Sequence, residues 1–496
     1  MKEDVTMARI MSLDSGTTSV RALIFDENGK TLGMAQKEIH QIYPHTGWVE
    51  EDPVEIWNCQ IQVAAEVLQK LDLKAEELDC IGITNQRETL IAWDKRTGEP
   101  IHNAIVWQCR RTEEYCGQLV ERGLTEWFQS RTGLILDAYF SATKAGWILK
   151  NVPGAREMAL EGNLLFGTID TWLIWKATNG KSYVTDYSNA CRTMLFNIHT
   201  LDWDPEILEF FDLPRTCLPD VLESGTDFGM VDPSWLGAPI PITAVLGDQQ
   251  SALFGQRCFN KSEAKCTYGT GAFILSNIGD EPLVSKEGLL TTVAWGYGGK
   301  VSYAFEGSIF MAGAVVQWLR DNLGIMANAA ESEAMATAVE SSEGVYFLSS
   351  FQGLGAPWWK NGVRASIHGM TRKTNVNHIV RAALESIGFR VKDVVGAMER
   401  EMGMPCKTLR VDGGMTANKF MMQCQADILQ IPVIKGDNQE VTALGAAYMA
   451  GLVKRIWKSM DELKAMADHE TYFHPIMHAQ DSAKLYDGWL ELIEKI

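Results

Sequence analysis

Arg87 and Glu88 stand side by side in Ile83-Thr84-Asn85-Gln86-Arg87-Glu88-Thr89, directly after the apolar run Cys80-Ile81-Gly82-Ile83. Charges at the end of a strand are delivered to the crevice at the carboxyl edge of an open sheet, where α/β proteins bind ligands. A guanidinium, a carboxylate and neighbouring amides together suit a small polyol, whose hydroxyls both donate and accept hydrogen bonds. Two other segments are built alike. Ile242-Thr243-Ala244-Val245-Leu246 runs into Gly247-Asp248-Gln249-Gln250, and Arg9-Ile10-Met11-Ser12-Leu13 runs into Asp14-Ser15-Gly16-Thr17-Thr18. A single segment of this kind is an ordinary strand-end turn, and Asp248 alone reads equally well as the cap of a helix opening into Ser251-Ala252-Leu253. Three in one chain point to a site.

The chemistry these groups could support is transfer of a phosphoryl group from ATP. That reaction asks for hydroxyl and amide donors around the phosphates, an acid for Mg²⁺ and a base for the acceptor. Asp14 can serve the metal, while Thr17, Thr18 and Arg21 can meet the phosphates and Thr270 can close on them from a second domain. Asp248 is then free to take the proton of the acceptor hydroxyl.

The elements that position these residues follow from their spacing. Residues 8–39 read as a meander: strands at Ile10–Asp14, Val20–Asp26 and Thr31–Ile39, with a turn at Glu27-Asn28-Gly29-Lys30. The design recurs past mid-chain, where Ala264–Tyr268 leads through Gly269-Thr270-Gly271 into Ala272–Ser276. Repetition at that distance predicts two related domains facing each other across a cleft, with a boundary near Ser251–Asn260. Asp52-Pro53 opens a helix that runs to Leu71, with Glu55 at the capping-box position. Leu409–Asp412, Gly413-Gly414 and a helical stretch from Met415 to Gln423 form a third glycine turn, a candidate nucleotide site. Mixed strands and helices make the chain an α/β protein.

A length of 496 residues predicts two to three domains, here two large halves, and 46% hydrophobic with 22% charged residues is an ordinary globular composition. The net charge of -18 argues against a nucleic-acid or anionic-membrane surface, so phosphate must be met by local donors. Met1-Lys2-Glu3-Asp4 carries acids where a secretory signal would need an apolar region, and no stretch is apolar for long enough to span a membrane. The ten cysteines form no Cys-x-x-Cys pair and read as reduced, buried thiols of a cytoplasmic protein. The 16 tryptophans read as packing, and His469, His474 and His478 as no metal site.

Taken in order, Asp14–Ser19, Gly82–Thr89, Asn103–Arg111, Gly247–Gln250, Tyr268–Gly271 and Val411–Gly414 resemble the FGGY carbohydrate kinases, in particular the branch that phosphorylates glycerol. The resemblance implies an α/β, two-domain actin-like ATPase fold of the ribonuclease H-like class with its active site in the interdomain cleft. It implies an N-terminal domain over residues 8–255, a C-terminal domain over 256–455 and a helical tail over 456–496. Carried over position by position, Arg87, Glu88, Trp107, Tyr139, Asp248 and Gln249 fall on glycerol contacts, with Phe273 closing one side. Ser15, Thr17, Thr18, Arg21, Thr270, Gly313, Gln317, Gly414 and Asn418 fall on the ATP side, and Asp14 and Asp248 near Mg²⁺. Asp248 is the implied general base. Without the resemblance, Phe310–Trp318, which holds Gly313 and Gln317, reads as a core helix.

Glycerol and ATP or ADP are the expected partners, and a homodimer or homotetramer the expected assembly. Many bacterial relatives carry an Arg-bearing loop for a sugar bisphosphate inhibitor before the Asp248 strand; Val231–Pro239 contains no Arg. Other relatives carry a phosphorylated histidine there, and residues 224–247 contain no His, so neither control is expected. Trp359-Lys360-Asn361 departs from the family's Trp-Asp-Pro. The rival readings are a kinase of another polyol or of a ketose such as xylulose, and a non-catalytic, ATP-gated binding protein of the same fold. Arg87-Glu88 with Trp107 favours a short pocket, and a base beside it favours catalysis.

Overall fold

The amino end folds as an antiparallel meander of β1 (Ile10–Ser15), β2 (Ser19–Phe25) and β3 (Thr31–Glu38), with Gly29 left-handed (φ 72°) in the turn after β2. The computed structural model describes residues 7–351, 353–360, 362–466 and 469–496, so Asn361 and the Met1-Lys2-Glu3-Asp4 segment lie outside the described residues. β4 (Cys80–Asn85) runs parallel to β1, β5 (Gly229–Val231) sits antiparallel on the far edge, and β6 (Ile240–Gly247) joins it to β4. The six-stranded sheet has the order β5-β6-β4-β1-β2-β3. Its register aligns Ser15, Asn85 and Gly247 across the three parallel strands, so the loops that follow them emerge together.

The second sheet repeats this plan. It contains β7 (Ala264–Tyr268), β8 (Ala272–Gly279), β9 (Leu290–Tyr297), β10 (Lys300–Ile309), β11 (Leu409–Asp412), β12 (Val433–Gly436) and β13 (Glu470–Phe473). The order is β9-β10-β8-β7-β11-β12-β13. β7, β8 and β10 are the meander, β11 and β12 are parallel to β7, and β13 is the antiparallel edge. Residues 456–496, expected as a helical tail, therefore supply the strand that completes the second copy.

Several helices start differently from their sequence pattern, each for a local reason. α1 (Pro53–Lys70) begins as expected, with Asp52 accepting from the Val54 amide and Pro53 in the first turn. Its buried residues Ile56, Trp57, Val63, Ala64, Val67 and Leu68 lie on one helical face. Glu55 forms no capping box; its carboxylate turns to His40, meeting both the amide and Nδ1. α2 (Asp248–Gly255) follows β6 at once, and α3 (Gly313–Asp321) starts three residues later than the Phe310 expected, because the turn at Gly269–Thr270 binds its first amides. α4 (Val376–Met402) is the long central helix of the second domain. After Gly413 the chain makes a 3₁₀ turn (Gly414–Ala417), and α5 (Lys419–Leu429) begins only after Asn418, whose side chain accepts from the Met421 amide.

α6 (Val441–Val453), although it follows β12, packs on β1, β4 and β6 of the first sheet. Its residues Ala443, Leu444, Ala447 and Met449 share a core with Ile10, Cys80, Leu246 and Leu253. α2 and α6 meet backbone to backbone: a Cβ on Gly445 would overlap the Ser251 carbonyl, and one on Gly255 the Val441 carbonyl. α7 (Ala479–Glu494) seats Trp489 and Ile493 against Phe389 of α4 and Ile428 of α5. Lys360 donates to the Ile493 carbonyl (2.8 Å) at the carboxyl end of α7, where the helix dipole favours a cation. That contact is a physical use for one of the two departures from Trp-Asp-Pro; a proline or aspartate could not make it.

Replacing Gly445 by Ala must push α2 from α6. Overpacking of this kind costs about 1–3 kcal/mol, so the midpoint of thermal unfolding of Gly445→Ala should fall by several degrees below that of the wild type.

Candidate active site

The carboxyl edge of the first sheet carries Asp14 and Ser15 at the end of β1, Gln86-Arg87-Glu88 in the loop after β4, and Asp248-Gln249-Gln250 in the first turn of α2. Arg87 is 2% exposed and ringed by acceptors. Its Nη1 donates to Glu306 Oε2 (2.6 Å) and Gln250 Oε1 (3.1 Å), and its Nη2 to Glu306 Oε1 (3.1 Å). Its Nε lies 3.1 Å from Asp248 Oδ1. Three of the five N–H groups of the guanidinium thus make hydrogen bonds and Nε is ion-paired with Asp248, which leaves one Nη2 proton to meet a ligand hydroxyl.

Glu88 is held in a left-handed conformation, φ 60°, which a residue with a side chain adopts at a cost of about 1–3 kcal/mol. Strong bonds compensate. Arg192 Nε donates to its carboxylate (2.6 Å), and its carbonyl accepts from Ser141 Oγ (3.0 Å) and Lys144 Nζ (3.1 Å). Burial lowers the Lys144 ammonium to about 7. Arg192 Nη2 also donates to Glu306 (2.9 Å). Glu306 is fully buried on β10; burial opposes its charge, but Arg192 and Arg87 hold its carboxyl down to about 2.

β10 and β8 bring the second domain to this cluster. Glu306 pairs with Leu275, and Phe273 with Ser308, so Phe273 and Glu306 share a sheet face. Lys265 of β7, opposite Leu275, is on that face too, and its Nζ donates to Gln249 Oε1 (2.5 Å) and Thr267 Oγ1 (2.9 Å). On the other flank Trp107 and Tyr139 meet edge to face, 5.5 Å between ring centroids. The Trp107 indole donates to the Thr17 hydroxyl (2.9 Å), joining the apolar wall to the glycine turn after β1. Of the expected polyol contacts, Arg87, Glu88, Asp248 and Gln249 are joined through one buried network, Trp107 and Tyr139 meet each other, and Phe273 shares a strand face with Glu306.

The residues expected on the nucleotide side form a second group. Gly269 and Thr270 carbonyls accept from the amides of Ala312, Gly313 and Ala314, which plugs the amino end of α3 into the turn after β7. A Cβ on Gly313 would stand 2.6 Å from the Gly269 carbonyl and 3.3 Å from Met415, so this turn, α3 and the Gly413-Gly414 turn touch at one point. Gln317 is exposed one helical turn on, and Gly414 and Thr270 are exposed beside it. Asn418 caps α5 and donates to Ser332 (3.2 Å).

Two of the residues expected at the phosphates sit differently. Thr18 is exposed, but the Ser15 hydroxyl is buried on the face of β1 opposite Asp14 and has no partner among the described residues. Arg21 is bound to Glu440 (2.8 Å), at the start of α6, rather than facing open space. Asp14 lies across β1 and β2 from Arg21. Burial pushes its carboxyl up to about 7 against the pull of Arg21, and Glu440 and Asp248 raise it further.

Glu306, Arg192, Lys265, Lys144 and Glu440 were not foreseen, and Gln250 was noted without a role. An acid isolated in the apolar strand Val301–Ile309 and an arginine after Ala190-Cys191 were the available signals.

The descriptions "FGGY family of carbohydrate kinases, N-terminal domain" and "C-terminal domain" match residues 9–255 and 264–453. The chain is 53% identical over 489 residues to glycerol kinase 2 of Thermotoga maritima, covering 99% of each. It is 54% identical over 486 residues to a glycerol kinase of Caldanaerobacter subterraneus subsp. tengcongensis, covering 98% of each. The crystal structure of Plasmodium falciparum glycerol kinase with ADP superposes with a TM-score of 0.93 at 38% identity, over 99% of this chain and 98% of that one.

A raised carboxyl makes stability depend on pH in a defined direction. Asp14 releases its proton near 4 when unfolded and only at about 7 when folded, so its contribution is complete at low pH and is lost as pH rises from about 4 to 7. In metal-free buffer Asp14→Asn should therefore match the wild type in thermal midpoint near pH 4, gain over it as pH rises, and hold a constant advantage above pH 7.

Proposed function

The chain belongs to the FGGY family of carbohydrate kinases, and on that footing we propose that it transfers the γ-phosphoryl group of ATP to glycerol, giving sn-glycerol 3-phosphate. The observation that carries this reading is the buried pairing of Arg87 with Glu88 and Asp248, beside Gln249, with Trp107 and Tyr139 in contact on one flank and Phe273 on the strand face that carries Glu306. Relatives more than half identical over nearly the whole chain bear the name glycerol kinase, which supports the same substrate.

In this reading the hydroxyls of glycerol share the free Nη2 proton of Arg87, the carboxylate of Glu88 and the amide of Gln249. The rings cover the carbon edge. A substrate lacking one hydroxyl would strand a buried polar partner, which discriminates more strongly than an apolar pocket can. Asp248, 32% exposed, is the general base. The Gln249 backbone amide donates to Oδ1 and Arg87 Nε is ion-paired with the same oxygen, so Oδ2 is the oxygen proposed to take the proton of the attacking hydroxyl. The acceptor's proton is lost late in a loose transition state, so the carboxylate acts in the chemical step.

The nucleotide would lie along Thr270, Gly313, Gln317, Gly414 and Asn418, its phosphates toward Ser15, Thr17, Thr18 and Arg21. Among the described residues no three acids, histidines or cysteines are grouped to hold a metal alone. Mg²⁺ is bound in phosphoryl transfer by one or two carboxylates together with phosphate oxygens, and Asp14 and Asp248 supply that set. The fit is electrostatic: Asp14 is held up by Glu440 and Asp248 as well as by burial, a repulsion that a cation removes. When bound, Mg²⁺ would neutralise charge on the transferring phosphates. Free thiols at all ten cysteines support a reducing compartment, the cytoplasm. Self-association as a homodimer or homotetramer belongs to the same reading.

No helix among the described residues is long and apolar enough to cross a membrane. In the segment before β6, Asp232 caps the short helix Pro233–Leu236 and is bound by Lys181 (3.1 Å), so its cation is already engaged.

Offered with Mg-ATP, glycerol should give a higher kcat/KM than xylulose, ribulose or gluconate, with ADP release as the readout; a five-carbon ketose preferred at limiting concentration would displace glycerol. Asp248→Asn should lower kcat by about 10²–10⁴ while ATP affinity, measured by calorimetry, stays near that of the wild type. Near-wild-type turnover would make Asp248 a helix-end residue and nothing more. Fructose 1,6-bisphosphate at millimolar concentration should leave the rate unchanged, and saturable inhibition would locate a different effector surface.

A further inference from the structure

Glu306, on β10, reaches the buried charge cluster from the second sheet, as Lys265 on β7 does. Its two oxygens accept from both Nη atoms of Arg87, and Oε1 also accepts from Arg192 Nη2. Arg192 in turn grips Glu88 through Nε, and Arg87 grips Asp248 through its own Nε. Each carboxylate expected to face glycerol is thus held by an arginine, and both arginines are held by Glu306. Glu306 and Arg192 have side chains 0% exposed, so neither charge can be balanced by water.

We propose that Glu306 is a positioning residue for the polyol site, which, with Arg192, fixes the planes of the Arg87 guanidinium and the Glu88 carboxylate without touching substrate. The proposal rests on the reading of the cleft as a glycerol site. A planar, forked guanidinium bound bidentately has one orientation, and its remaining N–H has one direction. Neutralising Glu306 frees the Nη atoms of Arg87 to turn toward Asp248 and Glu88, so that the charges meant for the ligand are spent on each other. The nucleotide turns at Thr270, Gly313 and Gly414 make no contact with this cluster in the interactions described above, so the defect should fall on glycerol and spare ATP.

The test is steady-state kinetics of the full chain with glycerol and Mg-ATP, each varied in turn, for the wild type, Glu306→Gln and Glu306→Asp. Glu306→Gln should raise the glycerol KM about 10–100-fold while the KM for ATP stays within about twofold. Glu306→Asp, which keeps the charge on a shorter stem, should recover part of the lost glycerol affinity. A glycerol KM and kcat in Glu306→Gln within about twofold of the wild type would overturn the proposal, as would an equal rise in both KM values, the mark of general loosening. Should Glu306→Gln not fold, Glu306→Asp decides by the same criterion: a selective rise in glycerol KM supports the role, and an unchanged or unselective one overturns it. A wild-type protein that turns over ATP with another acceptor but not with glycerol would instead overturn the functional reading, and the positioning role for glycerol with it.

Discussion

Two arginines and two glutamates are buried together where the sheets meet, and the rest of the cleft is arranged around keeping them paired. Arg87, Arg192, Glu88 and Glu306 are each 2% exposed or less. Taking a charge out of water costs several kcal/mol, offset only by good geometry and further hydrogen bonds. The geometry is supplied from far along the chain: β4 brings Arg87 and Glu88, the segment after the short helix Tyr187–Ala190 brings Arg192, and β10 brings Glu306. Gln250, at the start of α2, adds the remaining acceptor for Arg87 and is itself fixed by donating to Thr292 (3.0 Å). Such a cluster is poor at adding net stability. What it provides is orientation, because no member can turn without leaving another unpaired.

The repeated sheet explains why this cluster can be assembled at a cleft. In each copy a glycine turn joins the first two strands of a meander, and parallel strands continue beside the first. One copy sends its turn and two following loops toward the acceptor cluster; the other sends Gly269–Gly271 and Gly413-Gly414 against α3. The two sites are joined by small links: Lys265 to Gln249, Trp107 to Thr17, and Arg21 to Glu440. α6 and α2 cross between the sheets and tie the copies at the back.

Features encoded within a few neighbouring residues were legible in the sequence. Arg87-Glu88 after an apolar strand, the glycine turns, the meander and Asp52-Pro53 each depend on local geometry alone. Partners separated by a hundred residues or more were not. Nothing near Arg87 announces Glu306, 219 residues on, and an acid in an apolar strand can be read as an outward-facing residue until the strand's neighbours are known. Competition between local rules accounts for the smaller differences. Glu55 could have met the Asp52 amide but has a histidine within reach, and the helix expected from Met415 waits for Asn418 because Gly413, at φ 92°, first turns the chain tightly around Tyr268. β13 went unseen because its short polar run acquires a strand's role only beside β12.

The contact of α2 with α6 sets a limit of another kind. Where a carbonyl rests against a glycine Cα, as Ser251 does on Gly445 and Val441 on Gly255, no side chain lies between the helices to yield or repack. Substitution there is penalised by shape irrespective of what the cleft binds. Glycine at positions 255 and 445 in a related chain would thus record how two helices touch, and carry no information about which substrate that chain uses.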